Sequence, residues 1–188
     1  MPRFTRAELL SYRDHEVPDL VGPGLKLLFV GINPGLWTAA TRTHFASPSN
    51  RFYPALYAAG IIEEPLSPSG GMTDADRDLL RSRGIGITNI VRRATARADE
   101  LTRAELRAGA AELEATVRRT SPRVVAILGI TAYRTAFDRK LATPGRQPEP
   151  LAGAELWVVP NPSGLNAHET AASLAVAYAE AARAAGVI

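Results

Sequence analysis

The sequence contains no cysteine, which excludes disulfides and thiolate metal sites. Its three histidines, His15, His44 and His168, are too scattered for an imidazole metal centre and read as separate surface or loop residues. No apolar run approaches the roughly 20 residues of a membrane-spanning helix, and Met1-Pro2-Arg3-Phe4-Thr5-Arg6 lacks the apolar centre of a secretory signal. A cytoplasmic, nucleoid-associated protein is therefore expected, with no membrane partner and as a monomer. Lysine is nearly missing: of 22 basic residues only Lys26 and Lys140 are lysine, the rest being arginine. With a net charge of +3, contact with nucleic acid is permitted but not demanded. The glycine-rich loops match neither a Walker nor a dinucleotide fingerprint, which argues against a nucleotide-hydrolysing or redox enzyme.

What is present is ordinary globular composition, 46% hydrophobic and 22% charged over 188 residues, enough for one sizeable core. Residues 1–24 read as an N-terminal arm with a short helix, Arg6 to about His15, capped by Thr5. Residues 25–188 read as a single domain. Apolar runs at Leu25–Val30, Gly84–Val91, Arg123–Leu128 and Glu155–Pro160 are strands. Helices alternate with them: Asn50 to Ala59, Thr73 to about Arg83, a capping box at Thr102-Arg103-Ala104-Glu105 opening a helix to Thr120, Thr131 to Phe137, and an alanine-rich helix from Glu169 to Ala185. Asp138 to Gly153 is a hairpin or a mobile loop. This alternation predicts an α/β fold, a mostly parallel sheet covered on both faces.

Two Asn-Pro loops each follow a strand and so emerge at one end of that sheet, where they can flank one cleft. In the first, Gly31-Ile32-Asn33-Pro34-Gly35, the glycines permit close approach and positive φ while Pro34 stiffens the turn. Asn33 offers a carbonyl acceptor and an amide donor but no acid or base, so it can orient a water or a base edge without deprotonating either. The second loop is Asn161-Pro162-Ser163-Gly164-Leu165-Asn166. Phe45 stands alone in an aperiodic stretch, as a core anchor or a stacking platform. His44 beside it is a weaker candidate for lining the pocket.

Four motifs in order, Gly31-Ile32-Asn33-Pro34-Gly35, Phe45-Ala46-x-Pro48-x-Asn50-Arg51-Phe52, Gly86-Ile87-Thr88-Asn89-Ile90-Val91 and Asn161-Pro162-Ser163-Gly164-Leu165, resemble the mismatch-specific uracil-DNA glycosylase and thymine-DNA glycosylase branch of the uracil-DNA glycosylase superfamily. The resemblance spans Leu25 to Ala185. It implies a three-layer α/β/α sandwich and a monofunctional, cofactor-free, metal-free enzyme. Its partner would be double-stranded DNA holding a mismatched or damaged pyrimidine; it would flip out and excise uracil, and thymine or damaged pyrimidines, opposite guanine. It implies that Asn33 holds the attacking water, that Gly31, Ile32, Pro34, Gly35, Phe45 and Asn161 form the base pocket, and that Asn89, Ser163, Gly164, Leu165 and Asn166 contact DNA, with Leu165 as the wedge. Two features depart from the family pattern. Arg92-Arg93 replaces an acidic residue followed by arginine and reads either as added charge for the DNA backbone or as a change in how the strand is held. Asn166-Ala167-His168 replaces the usual continuation after the wedge. A lesion-binding module without catalysis and a nucleoside N-glycosidase are the alternatives.

Overall fold

A computed structural model describes residues 4–188, leaving Met1 to Arg3 of the arm outside. Five strands form one sheet in the order β2-β1-β3-β5-β4, with β1 Leu27–Gly31, β2 Ile85–Asn89, β3 Val124–Leu128, β4 Gly145–Arg146 and β5 Glu155–Val159. The first three and β5 are parallel, and β4 is antiparallel to β5. The segment left open as hairpin or mobile loop is thus a hairpin.

Alternate side chains divide the two faces, as the pleat requires. Leu27, Phe29, Ile87, Ala126 and Val159 pack against α3 (Phe52–Ala58), α4 (Asp74–Ser82) and α7 (Ala171–Ala185), where Phe52, Leu80 and Tyr178 are buried. Leu28, Val30, Val125, Ile127 and Val158 pack against α5 (Arg103–Thr120) and α6 (Ile130–Ala136) through Leu113, Val117 and Tyr133. The result is the expected three-layer α/β/α sandwich.

Three anticipated caps are made: Thr5, Thr73 and Thr102 each accept from the backbone N–H three residues on, as does Thr170, which was not anticipated. At α3 the N-cap is Arg51 and not Asn50, whose Oδ1 accepts from the Phe52 N–H at 2.9 Å. Differences lie in extent. α1 (Arg6–Leu10) ends well before His15, and the chain turns back at Asp14 with φ of 64°. A helix not foreseen, α2 (Leu36–Thr41), follows the first Asn-Pro loop directly. It buries Leu36 and Ala39 in a satellite core with Val17 and Ala94, against which Leu9 and Tyr12 of the arm pack.

From β1 the chain goes to one neighbour, β2, and then crosses to the other, β3. This reversal opens a crevice beyond the carboxyl ends of β1 and β3.

At Gly109, α5 lies so close to the end of β2 that an added Cβ would sit 2.2 Å from the Ile90 carbonyl oxygen. Because the obstacle is backbone, Gly109→Ala is expected to cost about 2 kcal/mol of stability despite the better helix propensity of alanine. A urea midpoint lowered at unchanged slope is the check.

Candidate active site

Pairing between the β1 and β2 segments continues past both strands. The N–H of Ile90 donates to Gly31 O (2.9 Å), Val91 to Ile32 O (2.9 Å) and Thr95 to Pro34 O (3.1 Å). The first Asn-Pro loop is therefore held along its length by residues 90–95. Neither of its glycines uses positive φ, contrary to the sequence expectation; Gly35 has φ of −76° as the residue capping α2. Their role is space. A Cβ on Gly31 would lie 2.4 Å from Asn89 Oδ1 and 3.2 Å from the Phe45 ring, whereas a Cβ on Gly35 would meet nothing within 4 Å.

The Asn33 side chain is fixed by its amide nitrogen. Nδ2 donates to Thr95 Oγ1 (2.7 Å), Arg93 O (3.0 Å) and, at 3.2 Å, Pro34 O. Carbonyl oxygens accept only, so the nitrogen must face them. The Thr95 hydroxyl passes its own hydrogen to Arg97 O at 2.7 Å and so presents a lone pair to Asn33. Among the described residues nothing donates to Asn33 Oδ1, which is left as an acceptor turned away from this segment.

Phe45 combines the two roles considered for it. Its ring lies 4.2 Å from that of Phe52 at 32°, against the core, and it also lines the cleft beside Gly31. His44 is not a surface residue: it is buried, and its Nε2 lies 2.9 Å from Pro18 O. That carbonyl requires Nε2–H as donor. Burial then lowers the pKa of the ring, outweighing the Pro18 carbonyl and Asp19, which raise it. The neutral ring offers an Nδ1 lone pair to Asn89 Nδ2 at 3.2 Å. Asn89, expected at the DNA surface, is instead buried at the cleft floor, its amide nitrogen held by His44 and its oxygen lying over Gly31.

The facing wall comes from β3 and β5. Gly129, at φ of 134°, takes a backbone conformation that favours glycine, and a Cβ there would be in ordinary contact with Ile32 and, at 3.8 Å, with Asn161 Nδ2. Asn161 Oδ1 accepts from the Ser163 N–H (2.9 Å), leaving Nδ2 free to donate. The second loop is pinned by a residue whose part sequence reasoning missed. Arg51 donates from its backbone to Pro162 O (3.0 Å) and from its guanidinium to Asn166 O (3.0 Å). Gly164 abuts Ser49 so closely that a Cβ would meet Ser49 Oγ at 2.5 Å. Asn166 turns inward to Asn161 O (3.0 Å), while Ser163 Oγ accepts from the Leu165 N–H at 3.2 Å. Leu165 is left 81% exposed on a rigid support.

All of the residues expected to form the pocket or contact DNA line one cleft of about 1050 Å³, together with Arg6 and Leu10 of α1 and Arg13 just beyond it. Arg92 and Arg93 do not add free charge for DNA. Arg92 is paired with Asp19 at 2.9 Å, and Arg93 with Asp14 at 2.9 Å and Glu105 at 2.5 Å. The hydrogen bond from Arg93, with those from Thr102, holds the Glu105 carboxyl down at about 2. Thr95 and the arm also went unnoticed as site elements; only the basic run around Thr95 and the amphipathic pattern of α1 hinted at them.

The family model for the Uracil DNA glycosylase superfamily matches residues 18–182. Among solved structures, the solution structure of a candidate uracil DNA glycosylase from Methanosarcina acetivorans aligns with 89% of this chain and 98% of its own. The TM-score is 0.58 at 16% identity, so this likeness speaks to the fold. The match of the family model covers nearly the whole chain, and the protein belongs to the uracil DNA glycosylase superfamily.

Proposed function

We propose that the protein is a monofunctional DNA glycosylase of the mismatch-specific type, which flips uracil out of a mispair with guanine and hydrolyses its N-glycosidic bond, leaving an abasic site. The reading rests on the hydrogen bonding of Asn33. With its nitrogen committed to three oxygens, the carbonyl oxygen is the part available to hold a water against C1′ of the flipped nucleotide.

Asparagine cannot remove a proton, so the C1′–N1 bond must break first, its electron pair leaving with N1 of the pyrimidine and the sugar becoming oxocarbenium-like. Water then bonds to C1′ and passes its proton to the departed pyrimidine anion or to solvent, so that neutral base and an abasic sugar result. The departing base is an anion, which the free Nδ2 of Asn161 is suited to stabilise. Asn89 supplies discrimination. With Nδ2 bound to neutral His44, its Oδ1 is an acceptor; uracil and thymine present a donor at N3, and cytosine does not. Leu165 enters the gap left in the stack. Flipping costs least at a mispair, which favours G·U over A·U without a contact to either partner base.

Single-turnover excision on duplexes with one G·U or one A·U pair, read by alkaline cleavage at abasic sites, tests the reading. Faster cutting of G·U is expected, and Asn33→Ala should lower that rate about 100-fold or more with duplex binding kept. Wild-type protein that binds the duplex without cutting it would instead indicate a lesion-binding module, and cutting of free deoxyuridine a nucleoside hydrolase.

Gly31→Ala places its Cβ against Asn89 Oδ1, so excision should be lost while the protein stays folded and still binds duplex. Circular dichroism and gel shift separate these effects.

Because burial lowers its pKa, His44 should stay neutral, with its proton on Nε2, to a lower pH than an ordinary histidine. Nitrogen-15 spectra of the ring would show it. Because the unfolded ring takes a proton that the folded one refuses, His44 makes stability fall as pH drops below about 6.5.

A further inference from the structure

Residues 4–17 of the arm precede the segment that the superfamily model matches, yet they touch both parts of the Asn33 anchor. Two of the anchor's three acceptors, Arg93 O and Thr95 Oγ1, flank Ala94. Ala94 is bound to the arm in both directions: Asp14 N–H donates to Ala94 O and Ala94 N–H to His15 O, each at 2.9 Å. The Arg93 side chain meets the Asp14 carboxylate at 2.9 Å, and Arg13 reaches across to Glu100. On the other side, Leu36 and Ala39 of α2, the helix that continues the Asn33 loop, share a satellite core with Val17 and Ala94, packed by Leu9 and Tyr12. Phe4 sets its ring edge-on to Trp37 of the same helix, with centroids 5.0 Å apart.

We propose that this arm is a positioning element of the active site, which fixes the Arg93–Thr95 segment through Asp14 and so holds the Asn33 amide in the orientation that presents Oδ1 to water. The inference rests on the reading of Asn33 given above. Asp14 is a positioning residue: it touches no reacting atom and acts through Arg93. Its contribution is geometric, because a small displacement of the two acceptors rotates the amide and moves the water away from C1′.

Asp14 has positive φ, so Asp14→Gly removes the carboxylate without straining the backbone. Asp14→Asn keeps an oxygen for Arg93 and tolerates the same conformation. Asp74→Ala, which removes an exposed carboxylate partner of Arg77 on α4, controls for the loss of one surface charge. In the full-length protein, Asp14→Gly is expected to slow single-turnover excision about fivefold. Affinity for a duplex carrying uncleavable 2′-fluorodeoxyuridine should stay within about twofold. Asp14→Asn should recover most of the rate, and Asp74→Ala should change nothing. The Asn33 side-chain amide signal in nitrogen-15 spectra of the free protein should shift or broaden in Asp14→Gly alone.

Wild-type rate and an unmoved Asn33 signal in Asp14→Gly would overturn the proposal, as would a loss confined to duplex affinity. A full additional fivefold loss in the Asn33→Ala background would also overturn it, since Asp14 would then act elsewhere. If wild-type protein excises nothing, the reading of Asn33 fails, and the amide signal by itself decides whether the arm orients this side chain.

Discussion

An asparagine can orient a water only while its own amide is prevented from turning over, and the site depends on how that rotation is stopped here. The Asn33 nitrogen has two hydrogens and three oxygens around it, two of them carbonyls that cannot donate in return. Flipping the amide would place oxygen against oxygen in a half-buried setting, where unmatched polar groups are costly. Two of these acceptors, Arg93 O and Thr95 Oγ1, come from the segment that extends β2 beyond its last ladder pair, and the third, Pro34 O, from the loop itself. The sheet thus supplies orientation as well as position. The same logic recurs at the floor, where Pro18 O fixes the His44 tautomer and the tautomer fixes Asn89. It recurs again at Asn161, whose turn to the Ser163 N–H occupies its oxygen and frees its nitrogen. Asn33, Asn89 and Asn161 each have one end of the amide committed to protein, and the uncommitted end differs: oxygen at Asn33 and Asn89, nitrogen at Asn161.

This division suits a reaction in which charge develops on the leaving group and no strong base is at hand. A carboxylate in place of Asn33 would activate water more strongly, but it would carry negative charge into the space where, in the proposed reaction, an anionic pyrimidine forms. An amide orients the water without that repulsion. Neutral His44 fits the same economy of charge: an imidazolium in contact with Asn89 would turn the amide and exchange its acceptor for a donor, reversing which bases the floor accepts.

Much of the architecture is legible in the chain because its signals are local. The capping boxes at Thr5, Thr73 and Thr102 and the buried run at Val124–Leu128 specify their elements within a few residues. Strand alternation brings both Asn-Pro loops to one end of the sheet. What is not legible is which atom of a side chain is occupied. Asn89 stands in its motif with nothing to show that its nitrogen meets an imidazole 45 positions away. Gly31 and Gly35 invite a conformational reading, whereas one leaves room for a neighbour and the other leaves the mouth open. α2 escaped notice because a six-residue helix after a proline turn has too few positions to show a period.

Arg92 and Arg93 mislead for a related reason, since sequence displays charge without its partner. Two adjacent arginines beside a DNA-binding cleft look like phosphate ligands, but carboxylates from the arm and α5 hold them. Exposed ion pairs of this kind add little to stability one by one. Here their consequence is geometric, because Arg93 lends the Asn33 anchor its backbone carbonyl while its side chain is held by Asp14 and Glu105. A lysine there would keep the charge but lose the planar fork that reaches two carboxylates at once. The constraint on Arg93 is therefore set by the chain's own carboxylates, and the duplex need impose none.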